Sequence, residues 1–183
     1  MKLPPETYGA VAGRAELLVS PQIMNEALDR MAEAITARLA GKDPLILCVL
    51  SGGVIATGLL LPRLQFQLRL DYVHATRYRG TTRGGDLHWR YRPSDSIRGE
   101  QVLIVDDILD EGVTLEAVVR ACEEDGAAGV HTAVLVAKQR AHRREADFVG
   151  VEVPDRYLFG YGLDYKGYFR NAAGIFAVAD SDV

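Results

Sequence analysis

The sequence is poor in the features that mark disulfide-bonded, zinc-binding or membrane-spanning chains. Its 183 residues include only two cysteines. Cys48 lies in an apolar run and Cys122 far away in a helical pattern, so we expect two buried, reduced thiols. No apolar run reaches the length of a transmembrane helix, and the N-terminus lacks the apolar core of a signal peptide. These absences favour a cytoplasmic protein with no membrane partner.

The chain also lacks a strong excess of either charge. Its formal net charge is −4, with 25% charged and 48% hydrophobic residues. This balance is typical of globular proteins and argues against a dedicated nucleic-acid binder. A basic cluster does occur within residues 140–144, but such clusters are usually solvated surface. We therefore expect no nucleic-acid partner, and a single domain over residues 1–183.

The chain does contain an alternation of apolar strands and amphipathic helices. Strands are predicted over residues 45–50, 68–75, 102–105, 130–137, 148–153 and 174–179. Helices are predicted after Ser20-Pro21, from Val54 to Leu64, and from Leu115 to Gly126. Residues 1–19 are predicted to be an irregular or short-strand lead-in. The alternation predicts an α/β fold with a mostly parallel central sheet flanked by helices.

Polar residues follow the predicted strands at the edge where parallel sheets bind ligands. They are Ser51, Asp106, Asp107, Asp110 and Lys138. Residues 110–114 lead directly into a helix, whose unpaired N–H groups can bind a phosphate. Carboxylates beside an anion site suit the hydroxyls of a sugar, so a sugar phosphate with a free diol fits. Helix capping and favourable dipole interactions are the weaker interpretation of these acids, because two consecutive acids that close an apolar strand, with a third before the turn, are less easily explained in that way.

A second strand–turn–helix unit contains Ser51-Gly52-Gly53. Paired glycines indicate either a close backbone approach to a ligand or a positive φ, although a plain βα turn is an equally good interpretation. Gly52-Gly53 and Arg170 could hold a second anionic group. Asp164 could hold a divalent cation bridging to it, and oxygen ligands favour Mg²⁺ over zinc.

The segment over about 76–96 lacks a core pattern and contains arginines and the only tryptophan. A long unpatterned segment inside a compact domain is often a functional lid. We expect a flexible lid that meets an anionic ligand; a solvated hairpin tip is the alternative.

Residues 105–115 resemble the phosphoribosyl-diphosphate-binding signature of type I phosphoribosyltransferases. Further segments resemble the hypoxanthine–guanine branch of that family. They are residues 135–138, 147–150, 154–155, 160–165 and 168–170. The resemblance covers roughly residues 45–180.

The resemblance implies the phosphoribosyltransferase fold, with a small hood from the N-terminal lead-in and residues 154–183. It implies purine salvage: phosphoribosyl diphosphate and a 6-oxopurine, hypoxanthine or guanine, would give IMP or GMP and pyrophosphate. It also implies Mg²⁺ and a homo-oligomer, either a dimer or a tetramer.

The resemblance also assigns roles to individual positions. Asp110 would be the catalytic base at the purine N7, Lys138 would donate to the 6-oxo group, and Tyr157 would stack on the base. The implied substrate-binding residues are Ser51, Gly52, Arg77, Tyr78, Asp106, Asp107, Ile108, Leu109, Glu111, Gly112, Val113, Thr114, Lys138, Tyr157, Leu158 and Arg170. The implied metal ligands are Asp106, Asp107 and Asp164.

Three positions depart from the family pattern. Ser51 replaces a common lysine, Glu111 replaces a small hydroxyl residue in the phosphate turn, and Arg77 replaces a serine before Tyr78. Two alternatives therefore stay open: a regulator of the same fold that binds phosphoribosyl diphosphate without turnover, and a xanthine-preferring transferase.

Overall fold

The computed structural model describes residues 4–77, 87–92, 97–142 and 144–183. The helices described are α1 (Pro5–Arg14), α2 (Pro21–Leu39), α3 (Gly53–Leu60) and α4 (Val113–Glu124). The strands are β1 (Glu16–Val19), β2 (Leu45–Leu50), β3 (Arg69–Arg77), β4 (Leu87–Tyr91), β5 (Gln101–Leu109), β6 (Gly129–Lys138), β7 (Phe148–Val153), β8 (Leu158–Phe159) and β9 (Ile175–Ala177).

The larger sheet has the strand order β4-β3-β2-β5-β6-β7. Its strands β3, β2, β5, β6 and β7 pair in parallel, and β4 pairs antiparallel with β3 at the edge. Strand β5 lies between β2 and β6, and its residues from Val102 to Val105 are almost completely buried. The predicted α/β fold with a mostly parallel central sheet is confirmed.

Apolar side chains cover both faces of this sheet. One cluster joins Met24, Leu28 and Ile35 of α2 to the sheet, and a second joins Leu115 and Val118 of α4 to it. Because both faces are covered, the inner strands are continuous apolar runs, as expected for a buried parallel sheet.

Helix α2 begins where its sequence predicts. The Ser20 hydroxyl accepts a hydrogen bond of 3.3 Å from the Ile23 N–H, and Pro21 occupies the first helical position. The cap satisfies one N–H group that the helix cannot pair, and the ring of Pro21 already has a helical φ.

The N-terminal lead-in differs from the prediction, because residues 5–14 form helix α1. Its sequence contains Gly9 and Gly13, which lower helix propensity. Tertiary packing stabilises this helix despite its low propensity. The ring of Tyr8 stacks on Phe169 at a centroid distance of 4.0 Å, and Val11 is buried in the same aromatic cluster. Strand β1 follows as predicted and forms the smaller sheet with order β1-β9-β8.

Part of the segment predicted as a lid is regular structure. Strand β3 continues to Arg77, and β4 pairs with it between His74 and Arg77. Trp89 packs against the apolar cluster on the α4 face. The edge strand has no alternating pattern, and its pairing with β3 is a long-range contact. Tyr78 and the rest of residues 78–86 lie outside the described residues.

Both cysteines are buried and free, as predicted, and burial raises the pKa of the Cys122 thiol to about 12. Among the described residues, no helix combines the length and apolar character needed to cross a membrane.

We predict that Ser20→Ala lowers the free energy of unfolding by about 1 kcal/mol, because the Ile23 N–H loses its acceptor. Urea denaturation followed by circular dichroism measures this difference. Ser20→Asp keeps an acceptor at the cap and is the matched control, which we expect to retain the stability of the parent. Equal losses in both variants would contradict the assigned cap.

Candidate active site

The adjacent acids lie inside the central strand rather than after it. Strand β5 extends four residues beyond the predicted end and includes Asp106 and Asp107, each 8% exposed. The Asp107 N–H donates to a carboxylate oxygen of Asp106 over 2.9 Å. Burial, and then the neighbouring charge of Asp107, raises the pKa of Asp106 well above its usual value. Burial also raises the pKa of Asp107.

Glycines at positions 52 and 162 allow close packing of the backbone beside the Asp107 side chain. A Cβ at Gly52 would lie 2.0 Å from a carboxylate oxygen of Asp107, and a Cβ at Gly162 would lie 2.2 Å from the Gly52 carbonyl oxygen. Gly52 is helical, with a φ of −61°, so the close approach explains this glycine and positive φ does not. The backbone at Gly52 closely approaches Asp107 of the same chain. The peptide bond just before this turn, from Leu50 to Ser51, is cis.

The turn after β5 presents backbone N–H groups at the start of α4. Gly112 has a left-handed conformation with a φ of 80° and forms the N-cap. The Glu116 N–H donates to the Gly112 carbonyl over 2.9 Å and begins the helical hydrogen bonding. The N–H groups before it have no partner within the helix, so residues 110–114 can bind an anion.

Two cations hold the acid that opens this turn. The Lys138 ammonium lies 3.3 Å from Asp110 Oδ1 and 3.2 Å from Asp155 Oδ1. The Arg140 guanidinium lies 3.1 Å from the same oxygen of Asp110 and 3.2 Å from Asp155 Oδ2. Because both contacts fall on Oδ1, Asp110 can accept a hydrogen bond at its other oxygen without losing either cation.

Arg170 joins the smaller sheet region to the central strand. Its guanidinium donates to the Gly162 carbonyl and to an Asp164 carboxylate oxygen, and it lies 3.9 Å from Asp107. The other Asp164 oxygen accepts from the Gly167 N–H over 2.7 Å. Arg170 therefore balances two carboxylates that come from different parts of the chain.

A cleft of about 170 Å³ opens between these groups. The residues that line it are Asp107, Ile108, Asp110, Lys138, Tyr157, Leu158, Leu163 and Asp164. Tyr157 is 40% exposed and Leu158 is buried in β8, so the cleft combines an accessible ring with an apolar wall. All eight residues except Leu163 were predicted from the sequence as site residues.

Other predicted site residues lie beside the cleft or beyond what the structure describes. Gly52 contacts Asp107, and Ser51 precedes it. Arg77 ends strand β3, and its side chain and all of Tyr78 lie outside the described residues.

Three residues of the site were missed from the sequence. Arg140 was assigned to solvated surface, and Asp155 to a turn after β7. Asp155 carries a usable signal, because it follows a strand that is adjacent to β6 and ends at the same edge. Leu163 carries none, since its place in the cleft depends on the turn at residues 160–163.

The acids of the site fit a hard cation that takes part of its coordination from elsewhere. Within the described part of the chain, no three His, Cys, Asp or Glu side chains converge as metal ligands. Mg²⁺ is usually held by one or two carboxylates together with phosphate oxygens and water. Asp106, Asp107 and Asp164 supply oxygens of this kind, and the two buried acids would be stabilised by a positive charge.

The sequence matches the phosphoribosyl transferase domain over residues 15–166. The chain belongs to this family. It is 31% identical over 159 residues to hypoxanthine-guanine phosphoribosyltransferase of Streptococcus pneumoniae, covering 85% of this chain and 88% of that enzyme. It is 30% identical over 158 residues to hypoxanthine-guanine-xanthine phosphoribosyltransferase of Tritrichomonas foetus, covering 85% and 86%.

A solved structure of a phosphoribosyltransferase agrees with these matches. Hypoxanthine phosphoribosyltransferase of Trypanosoma cruzi, in complex with the product IMP, has a TM-score of 0.84 and 27% identity. The comparison covers 93% of this chain and 96% of that one. The predicted fold, the hypoxanthine–guanine branch and an enzymatic role in purine salvage are confirmed.

We predict that Gly52→Ala lowers both stability and phosphoribosyltransferase activity, because its new methyl group overlaps the Asp107 carboxylate. Overpacking of this kind typically costs about 1–3 kcal/mol in the free energy of unfolding. Gly58→Ala is the matched control on the same helix, where a Cβ meets no described heavy atom within 4 Å. Chemical denaturation and initial rates measure both effects. A Gly52→Ala enzyme with parental activity would contradict the assigned packing.

Proposed function

We propose that this chain transfers the phosphoribosyl group of phosphoribosyl diphosphate to N9 of hypoxanthine or guanine, releasing pyrophosphate and forming IMP or GMP. The observation that carries this proposal is the pair formed by Asp110 and Lys138, 3.3 Å apart, lining one cleft beside an anion-binding turn. An acceptor and a cationic donor at that spacing match the N7–H and 6-oxo groups of a purine.

The purine end of the cleft contains a partly buried cation that suits a 6-oxo group. The Lys138 side chain is 11% exposed, and its contacts with Asp110 and Asp155 direct the ammonium into the cleft. A cation there favours an oxo acceptor and disfavours the amino group of adenine. Tyr157 stacks on the base, and the backbone of Leu158 meets its far edge.

The sugar phosphate occupies the other side of Asp110. Residues 110–114, including Gly112, Val113 and Thr114, bind the 5′-phosphate through N–H groups and the Thr114 hydroxyl, and Ile108 and Leu109 lead into this turn. The carboxylates of Asp106 and Asp107 accept hydrogen bonds from the ribose hydroxyls. N9 attacks C1 with inversion as the bond to the diphosphate breaks, and Asp110 accepts the proton from N7.

This reaction asks little covalent chemistry of the protein. The transition state resembles an oxocarbenium ion, and the carboxylates around the ribose are fixed close to where positive charge develops. Positioning and preorganised charge in a cleft that excludes water lower the barrier.

The diphosphate lies toward Ser51, Gly52 and Arg170. The contacts predicted for Arg77 and Tyr78 fall outside the side chains that the structure describes. We propose that Asp106, Asp107 and Asp164 hold Mg²⁺ in this region. The ion, when bound, neutralises charge on the diphosphate leaving group. Arg170 assists by contacting the diphosphate.

We further propose that the enzyme is a single-domain cytoplasmic protein that assembles as a homo-oligomer, either a dimer or a tetramer. Its partners are phosphoribosyl diphosphate and 6-oxopurines, and it binds neither nucleic acid nor membrane. The low formal net charge of −4 supports the expected absence of a nucleic-acid partner.

We predict that Asp110→Asn lowers kcat for IMP formation by about 10²–10⁴-fold, because the amide cannot accept the N7 proton. We expect the KM for phosphoribosyl diphosphate to change little. Asp155→Asn is the matched control: it removes a carboxylate from the same two cations but not the proton acceptor, so its kcat should fall far less. Spectrophotometric nucleotide formation measures both.

The same assay separates the enzyme from a regulator of the same fold. A parent protein that binds phosphoribosyl diphosphate but forms no nucleotide from hypoxanthine, guanine or xanthine would overturn the proposed activity. An Asp110→Asn variant as fast as the parent would overturn only the role of Asp110.

We predict that Lys138→Gln raises the KM for hypoxanthine by about ten- to a hundredfold, the range expected for losing a charged hydrogen bond. Adenine should become a relatively better competitor, because the cation that disfavours its amino group is gone. Rates with hypoxanthine, guanine, xanthine and adenine give the comparison. An unchanged preference among these bases would contradict the role of Lys138.

A further inference from the structure

Glu111 places a negative charge in the turn that has to bind a phosphate. It lies between Asp110 and the left-handed Gly112, and its side chain is 47% exposed. The backbone N–H of a glutamate can donate to an anion as well as that of any other residue. Its carboxylate, however, repels the anion unless it is neutralised or held away.

Arg140 connects this carboxylate to the rest of the site. Its Nη2 lies 3.8 Å from Glu111 Oε1, and its Nη1 contacts Asp110 and Asp155 at 3.1 and 3.2 Å. The backbone N–H of Arg140 donates to the Lys138 carbonyl over 2.8 Å, and this hydrogen bond fixes the backbone from which the Arg140 side chain extends. A rigid guanidinium fork with nitrogens directed at several acids is better suited to this task than a lysine.

The side chain of Arg140 is 34% exposed, less than the side chains of Glu111 and Asp155 that it contacts. This partial burial reduces the screening of its charge by solvent and salt. Asp110 also contacts Lys138, and among the described ion pairs the contact of Arg140 extends to Glu111.

We propose that Arg140 is a positioning residue of the phosphate-binding turn, which holds the Glu111 carboxylate to one side and neutralises it so that the turn can accept the 5′-phosphate. This inference rests on the proposed function, since it assumes that a nucleotide phosphate binds at residues 110–114. The charge of Glu111 and the contact with Arg140 then form one functional unit.

A double-mutant cycle on GMP affinity tests this coupling. The variants are Arg140→Met, Glu111→Gln and the double variant, with the dissociation constant of GMP measured by calorimetry. We expect Arg140→Met to raise the dissociation constant of GMP roughly tenfold. A change of this size is within the range of interaction energies measured between residues in contact. Glu111→Gln alone should change the affinity less than about threefold, and in the Arg140→Met background it should restore most of the loss.

The cycle separates the effect on Glu111 from the contact with Asp110. Arg140→Met removes the contact with Asp110 whether position 111 is Glu or Gln. The effect of that lost contact therefore cancels from the coupling free energy between positions 140 and 111. Guanosine, which lacks the phosphate, provides the second readout. We expect Arg140→Met to weaken GMP binding more than guanosine binding, whereas a general structural defect would weaken both alike.

Arg120→Met is the matched control, because it removes the same charge and breaks an exposed ion pair with Glu124 on α4. We expect parental GMP affinity for this variant. Additive effects of Arg140→Met and Glu111→Gln, or equal losses for GMP and guanosine, would overturn the inference while leaving the proposed function intact. A parent that neither forms nor binds GMP would overturn the proposed function itself.

Discussion

Burial of two adjacent carboxylates in the central strand is the constraint on which the site depends. Asp106 and Asp107 lie in β5 between β2 and β6, where burial disfavours their charged forms. A side chain at Gly52 would overlap the Asp107 carboxylate, and a side chain at Gly162 would overlap the Gly52 carbonyl oxygen. Arg170 brings a compensating charge from the segment before β9. The burial of these two acids is unfavourable for their charged forms, and it is accommodated by loops whose glycines leave space for the side chain of Asp107.

The second organising feature is that two cations at the end of β6 contact the same two acids. Lys138 and Arg140 both contact Asp110 and Asp155, so the acid proposed to accept a proton is held from one side. We propose that Lys138 recognises the purine and that Arg140 neutralises the Glu111 carboxylate. The departure of Glu111 from the family pattern therefore has a structural counterpart in a residue far along the chain.

Most strands and most residues that line the cleft could be predicted from the sequence, because apolar runs and the polar residues after them are local patterns. Strands β4 and β8 were not predicted, since neither has such a pattern. Strands β2 and β7 have the predicted bounds, and Ser20-Pro21 marked the start of α2. The predicted end of the central strand before Asp106 is wrong. A polar residue normally ends an apolar strand, but here the pairing of β5 with β6 continues past Asp106. Helix α1 was missed because aromatic packing, rather than propensity, stabilises it.

The sequence by itself determined the α/β fold, the strand–turn–helix unit over residues 102–126 and the family resemblance, because hydrophobic periodicity and a contiguous motif depend on neighbouring residues. Only the tertiary structure decided that Arg140 and Asp155 belong to the site, that Gly52 yields space to Asp107, and that Arg170 bridges two acids. These contacts join residues separated by long stretches of chain, and their geometry arises only when the carboxyl ends of parallel strands come together at one edge of the sheet.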